Sequence, residues 1–130
     1  MAKDPRFKRL EFEPGTIIIE EGKEGEAAYL ITKGTVDIRT GMRSDNPQTL
    51  ATLGAGDVFG ELAMFDGVPH IAAAVAVEKT VVSSMSRKEF GARVKKMDPV
   101  LRGVVMQMVG RTRRMAENLN KSKERPDWYD

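Results

Sequence analysis

One stretch of the chain, from Gly54 to Ala73, carries residue types whose spacing suits chemistry on a small ligand. Gly54 and Gly56 permit a tight turn, and Gly60 lets the backbone come close to something. Glu61 to Phe65 then makes one helical turn before Asp66-Gly67 breaks it. Backbone amides at such a start suit an anion, phosphate above all, and a carboxylate beside them, Glu61, accepts from a sugar hydroxyl. His70 follows at the end of the stretch as the one imidazole of the chain.

Other chemistries lack their residues. A metalloenzyme of the cupin kind, the enzyme alternative for a doubled β fold, collects several His ligands. This chain has one His and no Cys, so no zinc or iron centre is expected. Ser83 and Ser84 sit in a strand pattern with no second His to serve as base, so no acyl-transfer nucleophile is expected either. The expectation is a binding module with no catalytic residues and no cofactor.

The elements that must position this stretch read as short β-branched runs from Glu13 to Ser86, separated by turn residues, the pattern of a sandwich or barrel. The runs are 16–20, 28–33, 35–40, 48–53, 58–59, 71–77 and 80–86. Tyr29, Ile31, Val36 and Ile38 alternate so that two strands offer apolar faces to one interior. Ser86 and Glu89 have capping-box spacing, which starts a helix near Arg87 with Phe90 and Val94 facing the core. Asp98-Pro99 is an N-cap followed by proline at the first helical position, which starts a longer helix. The expected division is a β domain with a short flanking helix over 1–97, then a C-terminal helix and polar tail over 98–130.

On the long helix Leu101, Val105, Met108, Thr112, Met115 and Leu119 are spaced 4, 3, 4, 3 and 4, a heptad seam. The expected use of that seam is a parallel pairing of two copies, with Thr112 as a polar register mark; packing on the chain's own β domain is the alternative. Gly103 and Gly110 weaken the helix by about 1 kcal/mol each against Ala.

Composition fits a one-domain protein, and the expected location is the cytoplasm. The chain has 130 residues, 41% hydrophobic, enough for one cored domain and an appendage. The absence of Cys points to a reducing compartment. The N-terminus has no apolar signal core and the longest apolar run, Ile71 to Val77, is far short of the ~20 residues of a membrane span. Charge is uneven: residues 1–85 carry 9 Lys/Arg against 13 Asp/Glu, net −4, and residues 86–130 carry 12 against 6, net +6. Such a basic half is read as the solvated surface of a helix. Eleven residues follow Leu119, so no DNA-reading element is expected in this chain.

Several motifs together resemble the cyclic-nucleotide-binding domain family, that of the catabolite activator protein and of protein kinase A regulatory subunits. They are Pro14-Gly15-Thr-Ile-Ile-Ile, Gly22 and Gly25, Tyr29-Leu-Ile-Thr-Lys-Gly34-Thr-Val36, and Leu53-Gly-Ala-Gly-Asp57 leading into Phe59-Gly-Glu-Leu-Ala63. The resemblance runs from about Phe12 through Phe90. It implies a mainly β fold, a double-stranded β-helix or jelly-roll-like β-roll with short flanking helices and a long C-terminal helix. It implies further that the amides near Leu62 and Ala63 meet a cyclic phosphate and that Glu61 takes a ribose hydroxyl. The ligand-contacting set implied is Val58, Phe59, Gly60, Glu61, Leu62, Ala63, His70, Ile71 and Ala72. Trp128 or Tyr129 would supply an aromatic cap for a base, as happens in some members.

The family pattern continues with Pro, Arg, Ser or Thr, and Ala, whereas this chain reads Pro69-His70-Ile71-Ala72. Arg neutralises a phosphate with two directed hydrogen bonds; an imidazolium donates one, and Ile71 donates none. Losing one partner of a buried charge pair costs ~2–5 kcal/mol, roughly 30-fold to a few thousandfold in affinity. The expectation is therefore a stand-alone sensor or regulatory module for a cyclic nucleotide or related small anion, with weakened or altered phosphate recognition, acting through a partner protein. The alternative is a pocket-degenerate scaffold that dimerises or holds a partner without a nucleotide.

Overall fold

The computed structural model describes residues 7–66 and 69–124 and, of these, gives no side-chain description for Leu62, Phe65, Asp66 and 116–124. The chain falls into two compact units, Met1–Lys96 and Met97–Asp130.

In the first unit eight strands form two four-stranded antiparallel sheets. They are β1 (Phe7–Phe12), β2 (Ile17–Ile19), β3 (Ala27–Lys33), β4 (Val36–Thr40), β5 (Gln48–Leu53), β6 (Val58–Phe59), β7 (Ala73–Ala76) and β8 (Thr80–Ser86). One sheet has the order β1-β8-β3-β6 and the other β2-β7-β4-β5, so consecutive strands repeatedly change sheet, the crossing pattern of a β-roll. Period-2 alternation sends Ile19, Ile31, Val36, Phe59, Ala74 and Val82 into one core between the sheets. Val36 and Val82 are fully buried, and Tyr29 and Ile38 pack against this cluster as the alternation predicts.

Strand ends differ from the sequence pattern where a side chain or glycine captures the backbone. Thr16 is held in a turn, its amide and hydroxyl both donating to the Glu13 carbonyl at 3.1 and 2.7 Å, so β2 begins at Ile17. Gly34 has φ +109°, and the Thr35 amide donates to the buried Thr80 hydroxyl at 3.3 Å, so β4 begins at Val36. Ile71 and Ala72 form a bend, and β7 starts at Ala73. β1 has no β-branched residue and mixes three charged with three apolar groups; as an edge strand it pairs with β8 alone and places Leu10 and Phe12 on the core.

Two helices complete this unit. α1 (Glu61–Asp66) and α2 (Arg87–Lys96) pack on β3 through a small second cluster of Ala28, Ala63 and Met64, with Phe90 against it. Ser86 caps α2, its hydroxyl accepting from the Glu89 amide at 3.2 Å, and the Glu89 carboxylate takes Arg93 Nε at 2.9 Å.

The second unit is α3 (Pro99–Glu124). Asp98 caps it: one carboxylate oxygen accepts from the amides of Val100 and Leu101 at 2.8 and 3.3 Å. Of the heptad seam, Leu101, Met108 and Met115 are 59, 60 and 68% exposed, Thr112 is exposed and Val105 is half-buried. The Thr112 hydroxyl donates to the Met108 carbonyl at 2.9 Å, within its own helix. The Leu119 side chain lies outside the described residues. Among the described side chains of α3, Val109 and Arg113 are buried, and the seam includes neither. No helix among the described residues is long and apolar enough to cross a membrane.

Candidate functional site

The glycine turn is built before the site it serves. The Asp57 carboxylate accepts from the Gly54 amide at 2.9 Å and the Asp57 amide donates back to the Gly54 carbonyl at 3.0 Å. The Gly56 amide donates to the Ile31 carbonyl at 2.8 Å, and the Ile31 amide to the Asp57 carbonyl at 2.9 Å, so the turn is laced to β3. In the two-residue β6, Phe59 enters the core and stacks on Tyr29, with ring centroids 5.1 Å apart, while Val58 is exposed opposite Leu30. Strand alternation thus separates two residues that the family resemblance groups together: Val58 faces solvent and Phe59 serves the core.

Gly60 has φ +81°, and a side chain there would meet Ile19 at 3.0 Å, the Ala27 carbonyl at 3.2 Å and Tyr29 at 3.4 Å. Both the conformation and the close approach require glycine. α1 follows at once. Its Ala63 is buried, and Glu61 is half-buried. Burial pushes the Glu61 carboxyl above its ordinary value, and a hydrogen bond from its own backbone amide pulls the other way by less. The Leu62 side chain lies outside the described residues, as do Trp128 and Tyr129.

The β2–β3 loop grips the segment at both ends. The Gly22 amide donates to the His70 carbonyl at 2.8 Å and the His70 amide to the Lys23 carbonyl at 2.9 Å. Three residues on, a side chain at Gly25 would lie 2.5 Å from the Ala63 methyl, so the loop also presses on α1. The same loop holds the start of α2, where the Arg87 amide donates to the Glu26 carbonyl at 2.9 Å.

Half-buried His70 lines a cavity of about 330 Å³ with Ile19, Glu20, Lys23, Glu24, Glu26 and Tyr29. Ile19 and Tyr29 also flank Gly60, so the glycine turn and His70 border one region. Its lining carries three carboxylates against one ammonium, with Lys23 Nζ 4.0 Å from Glu20. Burial, and behind it the Glu26 charge, push the Tyr29 phenol up. Ile71 and Ala72 are half-buried and add no polar group. Among the described residues no cluster of His, Cys, Asp or Glu could hold a metal ion.

A larger cavity, about 510 Å³, adjoins this one and shares Ile17 and Glu20 with it. It lies under the β4–β5 turn, lined also by Glu21, Met42, Arg43 and Ala73. Sequence reasoning passes over it because the turn residues meet β2 only through tertiary folding; the one local hint is the polar turn after Gly41.

Comparison with known proteins agrees with this geometry. The family model of the cyclic nucleotide-binding domain matches residues 9–96. The cyclic AMP receptor protein of Thermus thermophilus is 31% identical over 107 residues, 82% of this chain and 50% of that protein, so the chain spans half that relative's length. The cAMP-bound form of the EAL enzyme Bd1971 superposes with a TM-score of 0.77 at 27% identity, covering 90% of this chain and 30% of that one. The regulatory subunit of a cAMP-independent protein kinase A from Trypanosoma brucei superposes with a TM-score of 0.68 at 29% identity, covering 92% of this chain and 42% of that one. A triple mutant of that subunit, with Glu to Ala, Thr to Arg and Val to Ala changes, is bound to cAMP in its A site. With the β-roll, the glycine turn into α1 and the family match over most of its length, the chain belongs to the cyclic-nucleotide-binding domain family.

Proposed function

We propose that this chain is a non-catalytic regulatory module that senses a cyclic nucleotide or a close chemical relative at Gly60–Ala63 and His70–Ala72, with weakened phosphate recognition. The observation that carries the reading is Gly60, held at φ +81° against the Ala27 carbonyl with half-buried Glu61 next to it. A half-buried carboxyl with a raised pKa is costly to keep for packing alone and is useful as an acceptor for a ligand hydroxyl.

The weakened phosphate grip follows from His70 and Ile71. In the trypanosome relative, cAMP in the A site accompanies substitutions that include a gained Arg and a branched residue cut to Ala. This chain has an imidazole and a branched alkyl group where the family pattern has Arg and Ser or Thr, and three carboxylates line the cavity beside them. Those same features favour the second reading, a scaffold without a nucleotide.

Output from such a module goes through another chain. Leu101, Met108 and Met115 recur every seven residues on the open side of α3 at about three-fifths exposure or more, the mark of a surface that pairs. A second copy is the proposed partner there. The β2–β3 loop, touching Ala63, His70 and Arg87 together, is the proposed link from ligand to helices.

Calorimetric titration with cyclic AMP and cyclic GMP tests the sensor reading, on the natural chain and on a His70→Arg, Ile71→Thr double variant. Weak binding by the natural chain, strengthened roughly 30-fold or more in the variant, is expected. Binding confined to the variant establishes the scaffold instead. Light scattering over a concentration series tests the pairing: a dimer that Met108→Asp weakens is expected, and a monomer at every concentration removes it.

A further inference from the structure

Each sheet ends in two edge strands, and the edges differ in what they can pair with. β2 and β6 are three and two residues long, and the β4–β5 register shifts between Ile38 and Arg39, which leaves Leu50 out of the ladder. β1 is the long and regular edge: its six residues pair with β8 without a break, from Phe7 opposite Met85 to Phe12 opposite Thr80. Its far side meets no strand among the described residues, so a row of backbone amides and carbonyls stands open there.

The side chains of β1 select what can join that edge. Leu10 and Phe12 pack on the core, and alternation puts Lys8 on their side of the strand and Phe7, Arg9 and Glu11 on the other. On the outer side Arg9 Nη2 meets Glu11 Oε1 at 2.7 Å, with Lys79 Nζ 3.9 Å from Oε2, and both Arg9 and Glu11 are exposed. A second copy related by a two-fold axis normal to the sheet would run antiparallel to β1 and keep core face beside core face. With the axis at Leu10, Leu10 stands opposite Leu10, and Arg9 of each copy stands opposite Glu11 of the other. With the axis at Arg9, Arg9 stands on Arg9; with the axis at Glu11, Glu11 stands on Glu11. Only the Leu10 register sets opposite charges together. In it Lys8 lies opposite Phe12, where its aliphatic stem covers the ring edge and its ammonium stays in water.

We propose that β1 is a self-association edge: two copies pair β1 with β1, antiparallel and centred on Leu10, and join their β1-β8-β3-β6 sheets into one continuous sheet. The occupant is a second copy because the charge pattern of the strand is complementary to itself in that register. Arg9 and Glu11 of the two copies then form a closed ring of alternating charges, two contacts within chains and two between them. This edge is separate from the seam on α3, which belongs to the other unit, and it requires no ligand.

The test is sedimentation equilibrium over a concentration series, on chains carrying Met108→Asp so that the α3 seam does not contribute. A monomer–dimer equilibrium is expected. Arg9→Glu and Glu11→Arg, each added alone, should weaken it about 10-fold or more, since each sets like charges opposite at two places. An equimolar mixture of the two variants should restore it, because every Arg9→Glu chain then faces a Glu11→Arg chain with opposite charges at both places. A monomer at every concentration, single variants that pair as strongly as their parent, or a mixture no stronger than either variant alone overturns the proposal. Amide hydrogen exchange on the natural chain checks it without substitutions: the β1 amides directed away from β8 should exchange more slowly as concentration rises, and rates independent of concentration overturn the pairing.

Discussion

Glu61 shows how one side chain joins stability to ligand capture. Its carboxyl titrates above the ordinary 4.5 because the fold takes it partly out of water. The folded chain therefore holds that proton more tightly than the unfolded chain. The stabilisation is complete below the ordinary value and is lost as pH rises through the raised one. Glu61→Gln should remove this fall across the window just above 4.5, as read by urea unfolding at a series of pH values, and a profile identical to the natural chain's would exclude desolvation of this carboxyl as its cause. The backbone need at Gly60 and the presence of a carboxylate beside it are legible in Phe59-Gly-Glu. The outward turn of Val58 is not, because a two-residue strand gives no pattern from which to read a face. Arg43 escapes for another reason: its cavity exists only once the β4–β5 turn has met β2.

Among the elements, α3 is the one most fully written in the sequence. Asp98 and Pro99 fix its start, and the two amides on the Asp98 carboxylate show why. Asp98→Ala should lower stability by about 1 kcal/mol, seen as a lower thermal midpoint; an unchanged midpoint would mean that α3 contributes nothing to the cooperative fold. The heptad spacing is legible too, and three of its apolar positions, Leu101, Met108 and Met115, stay exposed. Burial of Val109 and Arg113 is not legible, since an arginine gives no periodic signal for an interior position. β1 hides similarly: Lys8, Arg9 and Glu11 make it look like a polar leader, and only its pairing with β8 makes it a strand.

For the molecule as a whole, the two sheets share one interior, and Ile31 sits in the middle of it at 1% exposure. Ile31→Ala should cost about 2–5 kcal/mol, and urea unfolding should show both sheets lost in one transition with a lower midpoint. Two separate transitions would show that the sheets are independent. Alternating apolar residues are enough to announce a β fold of this class, but the order of strands within each sheet is a property of closure and is carried by no local stretch. The stacking of Tyr29 on Phe59 has a practical side: Tyr29 lines the His70 cavity and its ring lies at 20° to its neighbour. An immobilised aromatic ring gives a near-ultraviolet circular dichroism band, so the pocket carries its own optical reporter and can be followed without a dye or label.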